Sequence, residues 1–339
     1  MYDIFIKRKM QELFNYVQLL KKKSLLNKFS SIGYDLTDHN YKIAKSFPKK
    51  NNFSNILATE STRIKLQIKN SLDSNYINAN FILDNYIATQ EPNIYTQNDF
   101  WKMIYENKCP IIINLTKNND YLSFEESKNI DDFTIKITNL KIIDNIEIRI
   151  LNFQKNTNVY EIISTEQITD FNVYHITFLK WDDFGIPKKK DFFKLLEFIN
   201  LLNYSKNKNI FGKIVIHCRA GVGRTGTLIF IHYILKKINE GIYIDPIKLV
   251  KEMRRSRSGM IQGNIQFKFA ISIIIDLLTI KMKNLKNNKN NLRLSNENYN
   301  NKYKNITKKK KLRCSCGDES NIINNNYHIN INQLKEIEI

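Results

Sequence analysis

Cys218 and Arg224 stand with five residues between them in the run Ile214-Val-Ile-His217-Cys218-Arg219-Ala220-Gly221-Val222-Gly223-Arg224-Thr225-Gly226-Thr227. A tight loop at a helix N-terminus turns backbone N–H groups inward at the positive end of the helix dipole, which suits a tetrahedral dianion. Cys218 at the start of such a loop lies beneath the anion, and the same field favours its nucleophilic thiolate. Arg224 can close the ring with a planar fork that gives two parallel hydrogen bonds to phosphate oxygens, a geometry lysine does not match. A structural cysteine before an ordinary glycine-rich turn is the plain alternative. The joint placement of His217, Cys218, Arg224, Thr225 and Gly226 at a strand-to-helix turn weighs against it. Phosphoryl transfer onto a thiolate needs positioning and charge stabilisation, so neither a metal nor a cofactor is expected.

The elements that must hold this loop are a β-branched strand, Lys213 to His217, and an apolar helix, Thr227 to Glu240, with Gly241 at the cap position. Further strands are expected over Ile111 to Leu115, Phe133 to Ile137, Ile146 to Phe153 and Val173 to Phe178, with helices over Phe192 to Leu202 and Pro246 to Arg254. Apolar positions at helical spacing also predict an amphipathic helical segment over residues 1–28, packing on the domain. The mixture points to an α/β fold.

The loop resembles the signature of the protein tyrosine phosphatases, and other stretches extend the likeness over about residues 29–280. Asn75-Tyr-Ile-Asn-Ala-Asn80, Tyr86-Ile-Ala-Thr-Gln90-Glu-Pro92 and Asp99-Phe-Trp101 resemble framework motifs of the tyrosine-specific branch. Trp181-Asp182-Asp183-Phe184-Gly185-Ile186-Pro187 resembles the mobile loop that carries the general acid. Alignment on Trp181, Phe184 and Pro187 gives that role to Asp183. The family's proline is Asp182 here, which removes a restraint on φ; a second carboxylate would raise the acid's pKa if both faced inward.

Lys50-Asn-Asn-Phe53-Ser-Asn55 resembles the phosphotyrosine-recognition loop. Phe53 replaces the usual Tyr and keeps the stacking face, and Asn55 replaces a frequent Asp. Met253-Arg254-Arg255-Ser-Arg257-Ser-Gly259-Met-Ile-Gln262-Gly-Asn-Ile-Gln266 matches the glutamine loop. The resemblance implies that Gln262 positions the hydrolytic water, Gln266 makes a secondary contact, and Arg254 and Arg257 brace the phosphate loop. It also implies that Arg219, Ala220, Gly221, Val222, Gly223 and Trp181 contribute to substrate binding and that Thr225 stabilises the departing thiolate. His217 supports the thiolate rather than acting as a base. The Glu and Lys groups that the family uses to support the acid have no assignment within Lys117 to Lys128.

The resemblance implies a single phosphatase domain, with a twisted mixed β-sheet flanked by helices on both faces, acting on phosphotyrosine-containing proteins. Two rival readings remain: a pseudophosphatase that binds such proteins without turnover, and a phosphatase of RNA 5′ ends. The net charge of +20 suits anionic partners. Nucleic acid is not expected, however, because a lysine excess accompanied by abundant Asn, Ile, Tyr and Phe fits nucleotide bias in the genome. From 281 to 339 the chain turns to Asn and Lys and reads as a disordered basic tail, its charge suited to anionic surfaces. Cys314, Cys316 and His328 lack zinc-site spacing. Four cysteines, no apolar run long enough for a membrane span and a charged N-terminus without a leader pattern predict a cytoplasmic protein. The genomic bias and a free-standing phosphatase domain would also suit an effector in a host cytosol.

Overall fold

The computed structural model describes residues 2–68, 74–124, 126–131, 133–156, 170–204 and 212–306. In these residues the chain forms a nine-stranded mixed sheet. The strands are β1 Arg63–Lys65, β2 Tyr76–Ile82, β3 Tyr86–Gln90, β4 Ile111–Asn114, β5 Ser127–Ile130, β6 Phe133–Ile143, β7 Ile146–Lys155, β8 Phe171–Phe178 and β9 Ile214–Cys218, in the spatial order β1-β2-β3-β9-β4-β8-β7-β6-β5. The helices are α1 Tyr2–Leu20, α2 Lys23–Ser30, α3 Lys42–Ser46, α4 Gln97–Glu106, α5 Lys189–Tyr204, α6 Gly223–Asn239, α7 Pro246–Ser256 and α8 Asn264–Ile306.

The centre of the sheet, β3-β9-β4-β8, is parallel, and both flanks are antiparallel. Parallel strands are covered on both faces, so β4 and β9 are buried throughout and read as unbroken β-branched runs rather than alternating ones. Ile112 and Val215 pack with Phe100, Trp101, Met103 and Ile104 of α4. Their neighbours Ile214 and Ile216 face the opposite side by the period-two rule, and α6, buried over most of its length, packs against β9.

The five expected strands and three expected helices are present, several of them longer than their periodic cores. The β6–β7 hairpin, for example, runs on to a two-residue connection in which Asp144 takes a left-handed φ of 54°. The helical segment expected over 1–28 forms two helices, broken at Lys21-Lys22. Contacts group Lys23–Ile271 as one compact unit, and Met1–Lys22 with the stretch from Ser272 as another. The tail expected from 281 is helical as far as Ile306. Asn and Lys in a helix interior cost only fractions of a kcal/mol each against alanine, so a helix begun by the apolar stretch around Phe267–Leu278 propagates through them. Residues 307–339, with Cys314, Cys316 and His328, lie outside the described residues. Among the described residues no helix is long and apolar enough to cross a membrane.

Candidate active site

β9 delivers Cys218 to the C-terminal edge of the parallel strands, and α6 starts at Gly223, so residues 218–224 make the turn between them. Gly221 has φ +68°, and a Cβ there would stand 2.1 Å from the Thr89 carbonyl oxygen. Conformation and space therefore both require glycine.

The loop's carbonyls are engaged from behind. That of Arg219 accepts from the Glu91 N–H at 3.3 Å, and those of Ala220 and Gly221 accept from Arg257 Nη2 and Nε at 3.1 and 3.0 Å. The Val222 carbonyl accepts from the N–H groups of Gly226 and Ile261 at 2.9 and 3.2 Å. In a trans peptide the N–H opposes the C=O, so carbonyls drawn outward leave N–H edges on the concave side. Arg257, fully buried, is itself held by the amide oxygens of Asn80 and Asn78 on β2, at 2.6 and 2.7 Å from Nη1 and Nη2. Burial draws its pKa down to about 10, which still leaves it charged at neutral pH.

The cleft above this loop has a volume of about 160 Å³. It is lined by Cys218, Arg219, Ala220, Gly223 and Arg224 of the loop and its helix, together with Phe53, Asn55, Asp183, Gln262 and Gln266. Cys218 is only 4% exposed. Arg224 donates from Nη1 to the Trp181 carbonyl at 2.8 Å and from Nη2 to Asp183 Oδ1 at 2.6 Å, while Arg219 Nη1 lies 3.7 Å from Asp183 Oδ2. The expected acid and phosphate clamp thus meet in one place.

The indole of Trp181 is buried among Phe178, Phe192 and Phe269 and donates to the Gly185 carbonyl at 3.0 Å. Expected among the substrate-binding residues, it does not line the cleft but anchors the loop that carries Asp183. Asp182 points to solvent and pairs with Lys117 at 3.1 Å, so the two adjacent carboxylates do not converge on the cleft. Thr225 is buried in the first turn of α6, and its hydroxyl has no hydrogen-bond partner among the described residues.

A family model described as protein-tyrosine phosphatase matches residues 47–276. Tyrosine-protein phosphatase 69D of Drosophila melanogaster is 33% identical over 282 residues, 77% of this chain and 18% of the fly protein. The chain belongs to the protein-tyrosine phosphatase family. Tyrosine-protein phosphatase non-receptor type 20 of Rattus norvegicus is 31% identical over 246 residues, 68% of this chain and 54% of the rat protein. The chain therefore spans about half the length of the non-receptor relatives it matches.

Within this phosphatase domain the framework motifs hold the site as well as the fold. Gln90 accepts the Asn52 N–H at 2.9 Å and donates to the Lys50 carbonyl at 2.9 Å; Asn52 Nδ2 donates to the Glu91 carbonyl at 2.7 Å, and Lys50 pairs with Asp99 at 2.8 Å. These bonds fix the turn that presents Phe53, whose ring centroid lies 5.5 Å from the Arg219 guanidinium. Arg254 braces the glutamine loop through the carbonyls of Met260 and Ile261, at 3.0 and 2.8 Å.

Other participants at the site carry no local catalytic motif in the phosphatase sequence. Glu91 sits behind the loop, its carboxyl accepting from Thr116 Oγ1 at 3.1 Å; burial raises its pKa, with Thr116, Arg224 and Arg219 pulling the other way. The stretch left without an assignment supplies Lys117 and Tyr121. The Tyr121 hydroxyl bridges His175 Nε2 on β8 and His217 Nε2 on β9, at 2.6 and 2.7 Å. Burial lowers both imidazoles, His217 to about 3, so they are neutral, and one of them carries its proton on Nε2 because a phenol has only one hydrogen to give. The signal for Tyr121 was two histidines inside strands, His175 mid-way along β8 and His217 beside Cys218 on β9, with no charged partner in sequence.

Proposed function

We propose that this chain hydrolyses phosphotyrosine in proteins through a phosphocysteine intermediate. The observation that carries the reading is the convergence of Cys218, Arg224 and Asp183 on one cleft walled by Phe53. A phenyl phosphate slides past the Phe53 ring to reach a thiol that is almost fully buried, a reach that the shorter phosphoserine lacks. In the first step the Cys218 thiolate attacks phosphorus as the bond to the tyrosine oxygen breaks. Arg224 and the loop N–H groups hold the equatorial oxygens, and Asp183, protonated at this stage, gives its proton to the leaving oxygen. In the second step water held by Gln262 attacks phosphorus, the S–P bond breaks, and ionised Asp183 takes the proton. The Thr225 hydroxyl, without a hydrogen-bond partner among the described residues, is available to the departing thiolate. A thiolate nucleophile fits a reducing, cytoplasmic setting.

A domain that binds phosphotyrosine without turnover has Asp182 in its favour, because the proline restraint is gone. Against it, Lys117 holds Asp182 outside the cleft while Asp183 remains inside. An RNA 5′-phosphatase fits the net charge but not the aromatic wall.

The deciding experiment is hydrolysis of a phosphotyrosine peptide by the intact protein, by Cys218→Ser and by Asp183→Asn. Turnover lost in the first variant and strongly reduced in the second supports an active enzyme with these roles. Tight peptide binding without turnover in the intact protein would replace it with the binding reading.

A further inference from the structure

The loop that carries Asp183 leaves the sheet from β8 and returns as α5, and one residue outside it is bonded to both of its roots. The β7–β8 ladder closes on the pair Ile146 and Phe178, and one step beyond it the Leu179 N–H donates to the Asn145 carbonyl at 2.9 Å. This bond holds the chain two residues before Trp181. The Asn145 side chain meets the returning end, where its Nδ2 donates to Asp191 Oδ1 at 3.2 Å. Asp191 stands in the first turn of α5, four residues after Pro187.

The contact is supported from both sides. A carboxylate in the first turn of a helix is favoured by the positive end of the dipole, which keeps Asp191 ionised and a good acceptor. Lys194, three residues on, shares that face of α5 and pairs with Asp144, the neighbour of Asn145. Two adjacent residues of the β6–β7 turn thus hold α5 at its start. Within the loop, the Trp181 ring packs against Phe192 of α5 and its indole N–H donates to the Gly185 carbonyl at 3.0 Å. The stretch from Leu179 to Asp191 is therefore closed into a ring by Asn145, which itself lines no part of the cleft.

We infer that Asn145 is a positioning residue for proton donation: by tying the outgoing root at Leu179 to the returning root at Asp191, it sets the place from which Asp183 reaches the leaving oxygen. The inference rests on the reading of Asp183 as the general acid. A small displacement of a catalytic group costs rate steeply, and the cost falls on the step that uses the group. Its size follows the leaving group. Tyrosine leaves as a phenol of pKa about 10 and needs the proton, whereas a dinitrophenol, a far stronger acid, leaves readily as the anion.

The test compares kcat/KM for a phosphotyrosine peptide and for dinitrophenyl phosphate, in the full chain and in its Asn145→Ala variant. The expected result is a loss of about 3- to 10-fold on the peptide, the effect of one hydrogen bond, against less than about twofold on dinitrophenyl phosphate. Asn145→Asp sets a carboxylate against Asp191 and should widen the gap between the two substrates. Adding Asp191→Asn reverses donor and acceptor and should close it again. A loss shared equally by both substrates, no loss on either, or an exchange that restores nothing would overturn the role of Asn145 while leaving the mechanism standing. Asp183→Asn is measured alongside. If it too loses equally on both substrates, Asp183 is not the acid, and the proposed mechanism fails with the role of Asn145.

Discussion

Asp183 Oδ1 lies 2.6 Å from Arg224 Nη2, so the proposed acid occupies one donor of the proposed phosphate clamp. A phosphate oxygen arriving at that donor must displace the carboxylate, which ties release of Asp183 to substrate binding. Asp183→Asn should therefore do two opposite things. Peptide turnover should fall about 100- to 10,000-fold through loss of proton transfer. Affinity for tungstate or inorganic phosphate should rise by at least about fivefold, because a charged competitor for Arg224 is gone. Calorimetric titration beside steady-state kinetics checks both, and weaker oxyanion binding in the variant would refute the competition.

Arg257 is the brace whose loss should cost most. Arg257→Met keeps much of the volume but leaves the carbonyls of Ala220 and Gly221 and the amide oxygens of Asn78 and Asn80 without their donor. The expected destabilisation is about 3 kcal/mol or more, since buried acceptors left unpaired cost about 1–3 kcal/mol each. Urea unfolding measures it. A loss under about 1 kcal/mol would mean that other donors take over the loop carbonyls.

The Lys117–Asp182 pair is exposed and should matter little for stability. Its expected effect is on loop closure, with Lys117→Met and Asp182→Asn each lowering kcat by about threefold or less, the double variant no worse than either single one, and the difference fading in molar salt. Additive losses would show that the two side chains act separately.

Three buried histidines set a pH dependence of stability. Burial lowers His217 to about 3, His232 to about 4 and His175 well below its ordinary 6.5. In the unfolded chain each binds a proton near pH 6.5, so stability is full above that value and is lost as pH falls toward the folded values. At about 1.4 kcal/mol per pH unit for each histidine, the unfolding free energy should fall by roughly 4 kcal/mol between pH 7.5 and 5.5. Denaturant titrations at the two pH values test this, and a flat profile would mean that the imidazoles are charged in the fold.

The site was legible where chemistry follows chain order. Cys218 to Arg224 and Gln262 to Gln266 each form a short continuous segment, and their side chains meet in the cleft because a strand-to-helix turn and a helix start leave them little choice. What stayed hidden is contact between segments remote in sequence. Glu91 lay within a motif read as framework, and nothing local says that its N–H meets Arg219. Lys117 meets Asp182, and Tyr34 meets Gly259, only once the sheet has brought them together. The helix from 264 to 306 was obscured for another reason: composition measures what a segment can bury, whereas a helix already nucleated needs only residues that do not stop it.

Tyr121 joins His175 on β8 to His217 on β9, and β4 lies between those two strands. β8 leads to the root of the loop that bears Asp183, and β9 ends at Cys218. Two ladder spacings, roughly 10 Å, separate the strands. The gap between acid and nucleophile is thus gauged by backbone hydrogen bonding and locked by one phenol, so that the loop turns about a fixed root at Trp181. A span metered in this way is insensitive to side chains on the surface. Residues such as Asp182 and Lys117 can then vary without moving the chemistry out of reach.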